Sequence, residues 1–154
     1  MWVLAKTIGV ALAAILVAGC VAPPALDTQT RLRAAAQSGD KDAQYQLGQS
    51  LCCGNGGGYD TQEALHWLCR SALQGHPGAQ YALGRHYGLR SDTAYRPSVP
   101  QDRIYAYMWY SLAALQGMEV AAADRDALAQ DMSPGDLAAA ADRVRDWQKL
   151  GCRS

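Results

Sequence analysis

The chain has 154 residues, room for one small domain. Alanine and leucine dominate, phenylalanine is absent, and β-branched residues thin out after the first twenty positions, which favours helix because alanine and leucine lose little on entering one. Lysine plus arginine balance aspartate plus glutamate at 14 each, so no basic footprint points to nucleic acid.

The N-terminus opens with a sparse positive charge, Lys6, followed by the apolar run IGVALAAILVAG over 8–19. That run is short of the roughly twenty residues a membrane span needs, and it has the length of a signal-peptide core. It ends in Val17-Ala18-Gly19-Cys20, which resembles a bacterial lipobox. The resemblance implies cleavage before Cys20 and acylation of that cysteine, with residues 1–19 as the signal peptide. Val21 stands where aspartate marks inner-membrane retention in many Gram-negative lipoproteins, so the resemblance implies an outer-membrane protein facing the periplasm. The remaining 135 residues would carry a net charge of about −1, so lipid alone would hold the protein at the membrane. Residues 20–29 read as a short tether stiffened by Pro23-Pro24.

Beyond the tether the chain repeats itself. AAQSGDKDAQYQLGQSL (35–51) aligns with SALQGHPGAQYALGRHY (71–87) at a shift of 36. Ala36, Gly39, Ala43, Gln44, Tyr45, Leu47 and Gly48 fall on Ala72, Gly75, Ala79, Gln80, Tyr81, Leu83 and Gly84. DTQEALHWLCRSALQG (60–75) aligns with DRIYAYMWYSLAALQG (102–117) at a shift of 42, bringing Asp60, Ala64, Trp67 and Gly75 onto Asp102, Ala106, Trp109 and Gly117. Ala79, Leu83 and Tyr87 recur at four-residue spacing on one helical face, and Gly84 allows a neighbouring helix close. Gly39, Gly75 and Gly117 stand where a helix ends and the chain reverses, and Asp60 and Asp102 where an N-cap is needed. Each unit is then a helical hairpin with a face it cannot bury alone, so the units must stack.

The spacing G-x-x-x-A-x-x-x-L-G-x-x-Y, a variable turn, then D-x-x-x-A-x-x-W-x-x-x-A-x-x-G resembles the Sel-1-like repeat, a relative of the tetratricopeptide repeat. The resemblance covers residues 30–150. It implies an all-α fold, a short right-handed α-α superhelix (solenoid) of stacked helical hairpins, and the role of a protein-interaction scaffold. RLRAAAQSG (31–39) matches half a unit and reads as an N-terminal cap. Residues 119–150 read as a capping hairpin whose second helix opens at Ser133-Pro134 and carries the apolar stripe Leu137, Ala140, Val144 and Trp147. Residues 151–154 are a tail.

GNGGGYD, after the adjacent Cys52 and Cys53, is the turn of the first hairpin, since no strand precedes it and no P-loop lysine follows. After Cys20, the four cysteines Cys52, Cys53, Cys69 and Cys152 allow three pairings into two bridges. Cys53 and Cys69 lie at depths in the hairpin that differ by about 12 Å along a helix, too far unless the first helix bends. The pairing is open. Cys52, Cys53, His66 and Cys69 lack the C-x₂₋₄-C knuckle of zinc sites, so no metal and no cofactor is expected. His76 and His86 read as exposed helix residues. No serine sits in a nucleophile elbow and no histidine in a recognisable catalytic signature, so no catalytic residue is expected.

Two surfaces are candidates for a partner. Tyr81 and Arg85, four apart, lie off the packing face of their helix, and repeat equivalence adds Tyr45 and Gln49. The second turn, residues 88–102, is six residues longer than its counterpart and carries Tyr95 and Arg96. Insertions in repeat proteins fall on one edge, near binding surfaces or merely tolerated. The expected function is a non-catalytic, envelope-anchored scaffold for a protein or peptide partner. The alternative is an enzyme or binding protein acting on cell-wall material.

Overall fold

The structure, a computed structural model, describes residues 27–53, 60–88 and 103–152. Over those residues it contains seven helices: α1 (Thr28–Gln37), α2 (Lys41–Cys53), α3 (Thr61–Leu73), α4 (Pro77–Gly88), α5 (Arg103–Leu115), α6 (Glu119–Ala129) and α7 (Pro134–Leu150). No strand occurs among the described residues. Each helix packs on the next from α1 to α6, with the closest pairings α2 on α3 and α4 on α5. These two pairs are the hairpins expected from the repeats, stacked in order with α1 against α2 at one end. Cys20, Tyr95, Arg96, Asp102 and the glycine-rich turn lie outside the described residues.

The junctions between units obey one local rule. Gly39, Gly75 and Gly117 have φ of 103°, 81° and 86°, a left-handed conformation that side chains resist. Each reversal satisfies orphan carbonyls of the preceding helix: Gly75 N donates to Ala72 O at 2.9 Å and His76 N to Ser71 O at 3.2 Å. The pairs Gly39/Asp40 and Gly117/Met118 do the same. Starts are fixed just as locally. Asp60 Oδ1 accepts from Glu63 N at 2.8 Å, and Ser133, followed by Pro134 in the first turn, accepts from Asp136 N at 3.1 Å.

The buried face of α4 is Ala79, Leu83 and Tyr87, as the four-residue spacing predicts, and Ala43 and Leu47 repeat it on α2. Trp67 and Trp109 occupy equivalent places on α3 and α5 and are 7% and 1% exposed. Gly84 lets α5 come close: a Cβ there would lie 2.5 Å from Tyr110 Cδ1. Gly48 stands in the same relation to Leu68, at 2.7 Å from Cγ.

The C-terminal end departs from expectation. α6 and α7 do not form a third hairpin; both close over α5, and α7 lies chiefly against α5 itself. The reason is visible on α6, where Arg125, Asp126 and Ala129 replace Leu83, Gly84 and Tyr87 and leave no face for a partner helix. The apolar stripe of α7 finds its surface on α5 instead, with Trp147 edge-on to Trp109 at 6.3 Å and Val144 against the same core. This course brings Cys152 back to α3, where it is bonded to Cys69 with Cα atoms 5.9 Å apart. Cys52 is disulfide-bonded as well.

Candidate functional site

The four described residues proposed for partner contact lie on the first helices of the two hairpins, Tyr45 and Gln49 on α2 and Tyr81 and Arg85 on α4. Both tyrosines are half-buried, because each reaches across to the following first helix. Tyr45 stacks on His76 with ring centroids 4.3 Å apart and an interplanar angle of 26°. It lies over Gly78, where a Cβ would come within 3.0 Å of its ring. Its hydroxyl accepts from Gln49 Nε2 at 3.3 Å.

Tyr81 cannot copy that arrangement. The positions matching His76 and Gly78 are Met118 and Val120, so neither a flat ring nor an open backbone awaits it. Its hydroxyl instead donates to Asp124 Oδ2 on α6 at 2.9 Å, and its ring tilts against Tyr110 at 5.8 Å. Burial, then the bond to Asp124, raises the Tyr81 pKa above the usual phenol value. Burial, reinforced by the Asp124 charge, pushes Tyr110 up to about 12. Both hydroxyls therefore stay protonated, and Tyr81 serves as a donor. Arg85, one turn after Tyr81, is exposed.

The tyrosines thus join one hairpin to the next, while Gln49 and Arg85 present polar groups at the same place in successive repeats. The structure does not bring the two pairs into direct contact. They occupy equivalent positions of α2 and α4, 36 residues apart.

Two further features belong to the joints between repeats. Gln44 and Gln80, identical in the repeat alignment, are fully buried. Each donates to the last turn of the preceding helix, Gln44 Nε2 to Ala36 O at 3.0 Å and Gln80 Nε2 to Ala72 O at 3.2 Å. Each also accepts from the glutamine that ends its own hairpin: Gln74 donates to Gln44 at 2.8 Å and Gln116 to Gln80 at 2.7 Å. A buried amide satisfied on both sides fixes the angle between units, since leaving either group unpaired costs about 1–3 kcal/mol. His76 is the second feature. It was expected to be an exposed helix residue, but it is half-buried against Tyr45 and so is part of the joint. His86 is half-buried too, edge-on to Tyr87 at 5.4 Å.

No group of three or more metal-ligating side chains gathers among the described residues. Glu63 is a carboxylate held by two side chains: its Oε1 accepts from Trp67 Nε1 at 3.2 Å and from Arg33 Nη1 at 2.9 Å, which ties α1 to α3. The Trp67 N–H foremost, then the Arg33 guanidinium, hold its pKa below the usual value. This is an anchor between helices.

Comparison with known proteins agrees with this geometry. The Sel1 repeat family matches residues 41–76 and 77–118, which are the two hairpins just described. The chain belongs to the Sel1 repeat family. Sel1-repeat proteins are helical scaffolds that usually mediate protein interactions, and the family is generally non-catalytic. Among solved structures, a protective antigen of uropathogenic Escherichia coli strains displaying an SLR fold superposes with a TM-score of 0.63 at 27% identity, covering 82% of this chain and 28% of that one. A Sel1 repeat protein from Oxalobacter formigenes superposes with a TM-score of 0.55 at 27% identity, covering 79% of this chain and all of that one. Both support the solenoid of stacked hairpins. Two curated relatives are named exopolysaccharide production negative regulators. The one from Rhizobium leguminosarum bv. viciae is 38% identical over 56 residues, 36% of this chain and 21% of the relative. The one from Rhizobium meliloti (strain 1021) is 36% identical over 66 residues, 43% of this chain and 25% of the relative. The chain therefore spans a quarter or less of the curated relatives it matches.

Proposed function

We propose that this Sel1-repeat chain is a non-catalytic scaffold that holds a protein or peptide partner on its first-helix face, tethered in the bacterial envelope through a lipid on Cys20. The observation that carries the reading is the register of Gln49 and Arg85. Each follows by one turn a tyrosine fixed by the next unit, so each is a polar side chain presented from a rigid base. Ordering costs are already met in such a surface, which favours binding. The partner meets donors here: the Gln49 amide and the Arg85 guanidinium, whose planar fork suits carboxylate or backbone carbonyl groups. The rhizobial relatives are named as negative regulators, and a scaffold that regulates by holding proteins together suits both that name and the fold. The VAGC sequence after an apolar run supports the anchor, and Tyr95 and Arg96 in the long second turn extend the proposed surface.

The test is capture from envelope extract compared with binding to purified peptidoglycan. Changing Gln49 and Arg85 together to alanine is expected to weaken protein capture at least tenfold while leaving helicity and melting temperature unchanged. Undiminished capture refutes the first-helix surface. Binding to peptidoglycan in place of protein establishes the cell-wall alternative. For the anchor, Cys20→Ser should move the protein from the membrane to the soluble envelope fraction; a variant still membrane-bound after an alkaline wash overturns it.

A further inference from the structure

Three residues of the array stand in the same place, just after a left-handed glycine and just before a first helix: Asp40, His76 and Met118. They treat the amides of that helix differently. Asp40 Oδ1 accepts from Asp42 N at 2.8 Å and from Ala43 N at 2.9 Å. His76 does the same work with an imidazole, its Nδ1 accepting from Ala79 N at 3.1 Å. Met118 makes no side-chain cap. An aspartate keeps this role at any pH above the carboxylate range. An imidazole keeps it only while the Nδ1 lone pair is free, that is, while the ring is neutral.

The surroundings fix which neutral form is present. With Nδ1 accepting, the proton sits on Nε2, which faces Asp42 Oδ1 at 3.4 Å. The ring is stacked on Tyr45 and its side chain is only 16% exposed. The cap and the stack thus meet in one residue, at the joint between α2 and α4.

We propose that His76 is a proton-sensitive pin between the two repeats: neutral, it caps α4 and holds the Tyr45 ring against that helix; protonated, it releases the Ala79 amide and the joint loosens. Protonation places a second N–H against the Ala79 N–H and a positive charge at the positive end of the α4 dipole. Burial of the ring is the largest influence on its titration and lowers the pKa from the usual 6.5. From α2, the Asp42 carboxylate favours the imidazolium, the Lys41 ammonium opposes it, and the Tyr45 phenol covers the ring. No charged side chain of α3 or α4 acts on it among the described residues. Because the folded-state value is depressed, the contribution is complete above the ordinary histidine value. It is lost as pH falls from there through the folded value. Loosening at this joint would tilt α4 against α2 and so move Arg85 relative to Gln49, making the presented surface pH-dependent.

The test compares the parent, His76→Asn and His76→Ala as full chains with disulfides intact, because asparagine caps without titrating. At pH 8 the parent and the asparagine variant should melt together, with the alanine variant roughly 3–6 °C lower, the size of one lost cap in a chain of this length. At pH 5 the parent should fall towards the alanine variant while the asparagine variant keeps its lead. Nuclear magnetic resonance on the parent should show the Ala79 amide moving with the midpoint of the His76 ring, below 6.5. A gap between parent and asparagine variant that is the same at both pH values overturns the proposal. So does an Ala79 amide that stays still while the ring titrates. A parent that gains on the asparagine variant in acid would mean that pairing with Asp42 prevails, and would refute it equally. If the asparagine variant fails to fold, the parent titration decides alone.

Discussion

Gly84→Ala should destabilise the protein although alanine is the better helix former. Ordinary carbon contacts lie near 3.5–4.0 Å, whereas the added Cβ would stand 2.5 Å from Tyr110 Cδ1 and 2.7 Å from Cε1, a shortfall of about 1 Å. The ring cannot swing away freely, since Tyr110 is buried and Tyr81 lies against it. Either the α4–α5 pair opens or the ring leaves its rotamer, at a cost of about 1–3 kcal/mol. Replacing glycine in a helix returns about 1 kcal/mol. The net expectation is a loss of up to about 2 kcal/mol, which lowers the melting temperature by as much as several degrees. Gly135→Ala is the control: its only neighbour within 4 Å is Ser133 Oγ at 3.7 Å, so the same change should stabilise by about 0.4–1 kcal/mol. Urea unfolding followed by helical circular dichroism reads both, with the slope against denaturant expected to stay constant. A Gly84→Ala midpoint raised above the parent's, as for Gly135→Ala, would refute the close approach of α5 to α4.

Truncating Trp109 to alanine should cost about 3–5 kcal/mol in the same assay, and a loss below about 1 kcal/mol would place the ring at the surface. Cys152→Ser opens a loop with a sequence separation of 83 between its ends, worth up to about 4.5 kcal/mol if chain entropy governs; an unchanged urea midpoint would show the bridge to be idle. Glu63→Gln should flatten the acid limb of the stability profile. The folded-state pKa of Glu63 is depressed, so its contribution is present above the ordinary carboxylate value and lost as pH falls through the lower folded one. An acid limb as steep as the parent's would exclude it as a source of acid sensitivity.

What could be read from the sequence was what chain neighbours decide. The left-handed glycines, the caps at Asp60 and Ser133 and the buried stripe Ala79, Leu83, Tyr87 each follow from a few adjacent residues. Repetition then multiplies the evidence. The Cys69–Cys152 pairing depends on where α7 comes to rest, and that was decided by what α6 lacks; no cysteine spacing encodes it. The bond from Tyr81 to Asp124 spans 43 residues and breaks the repeat symmetry on which the binding stripe was inferred. The two tyrosines of the expected stripe are therefore engaged within the molecule, Tyr45 with His76 and Tyr81 with Asp124. His76 was within reach, because the shift of 36 sets it on Asp40, a cap by residue type. The chemical difference between the two residues hid the shared position.

The Cys69–Cys152 bond also changes how the molecule can come apart. A linear stack of repeats opens from its ends, each unit held only by its neighbours. Here the last helix is stitched to the middle of the stack, so the C-terminal half can unravel only as a closed loop. At the other end α1 carries no cysteine, and the Gln44 amide and the Arg33–Glu63 pair tie it to the stack. Opening should run one way, from α1 inward, with the fastest amide exchange in α1 and the slowest in α3 and α5. Any pull applied through residues before α1 would then meet the weakest contacts first and the covalent clasp last.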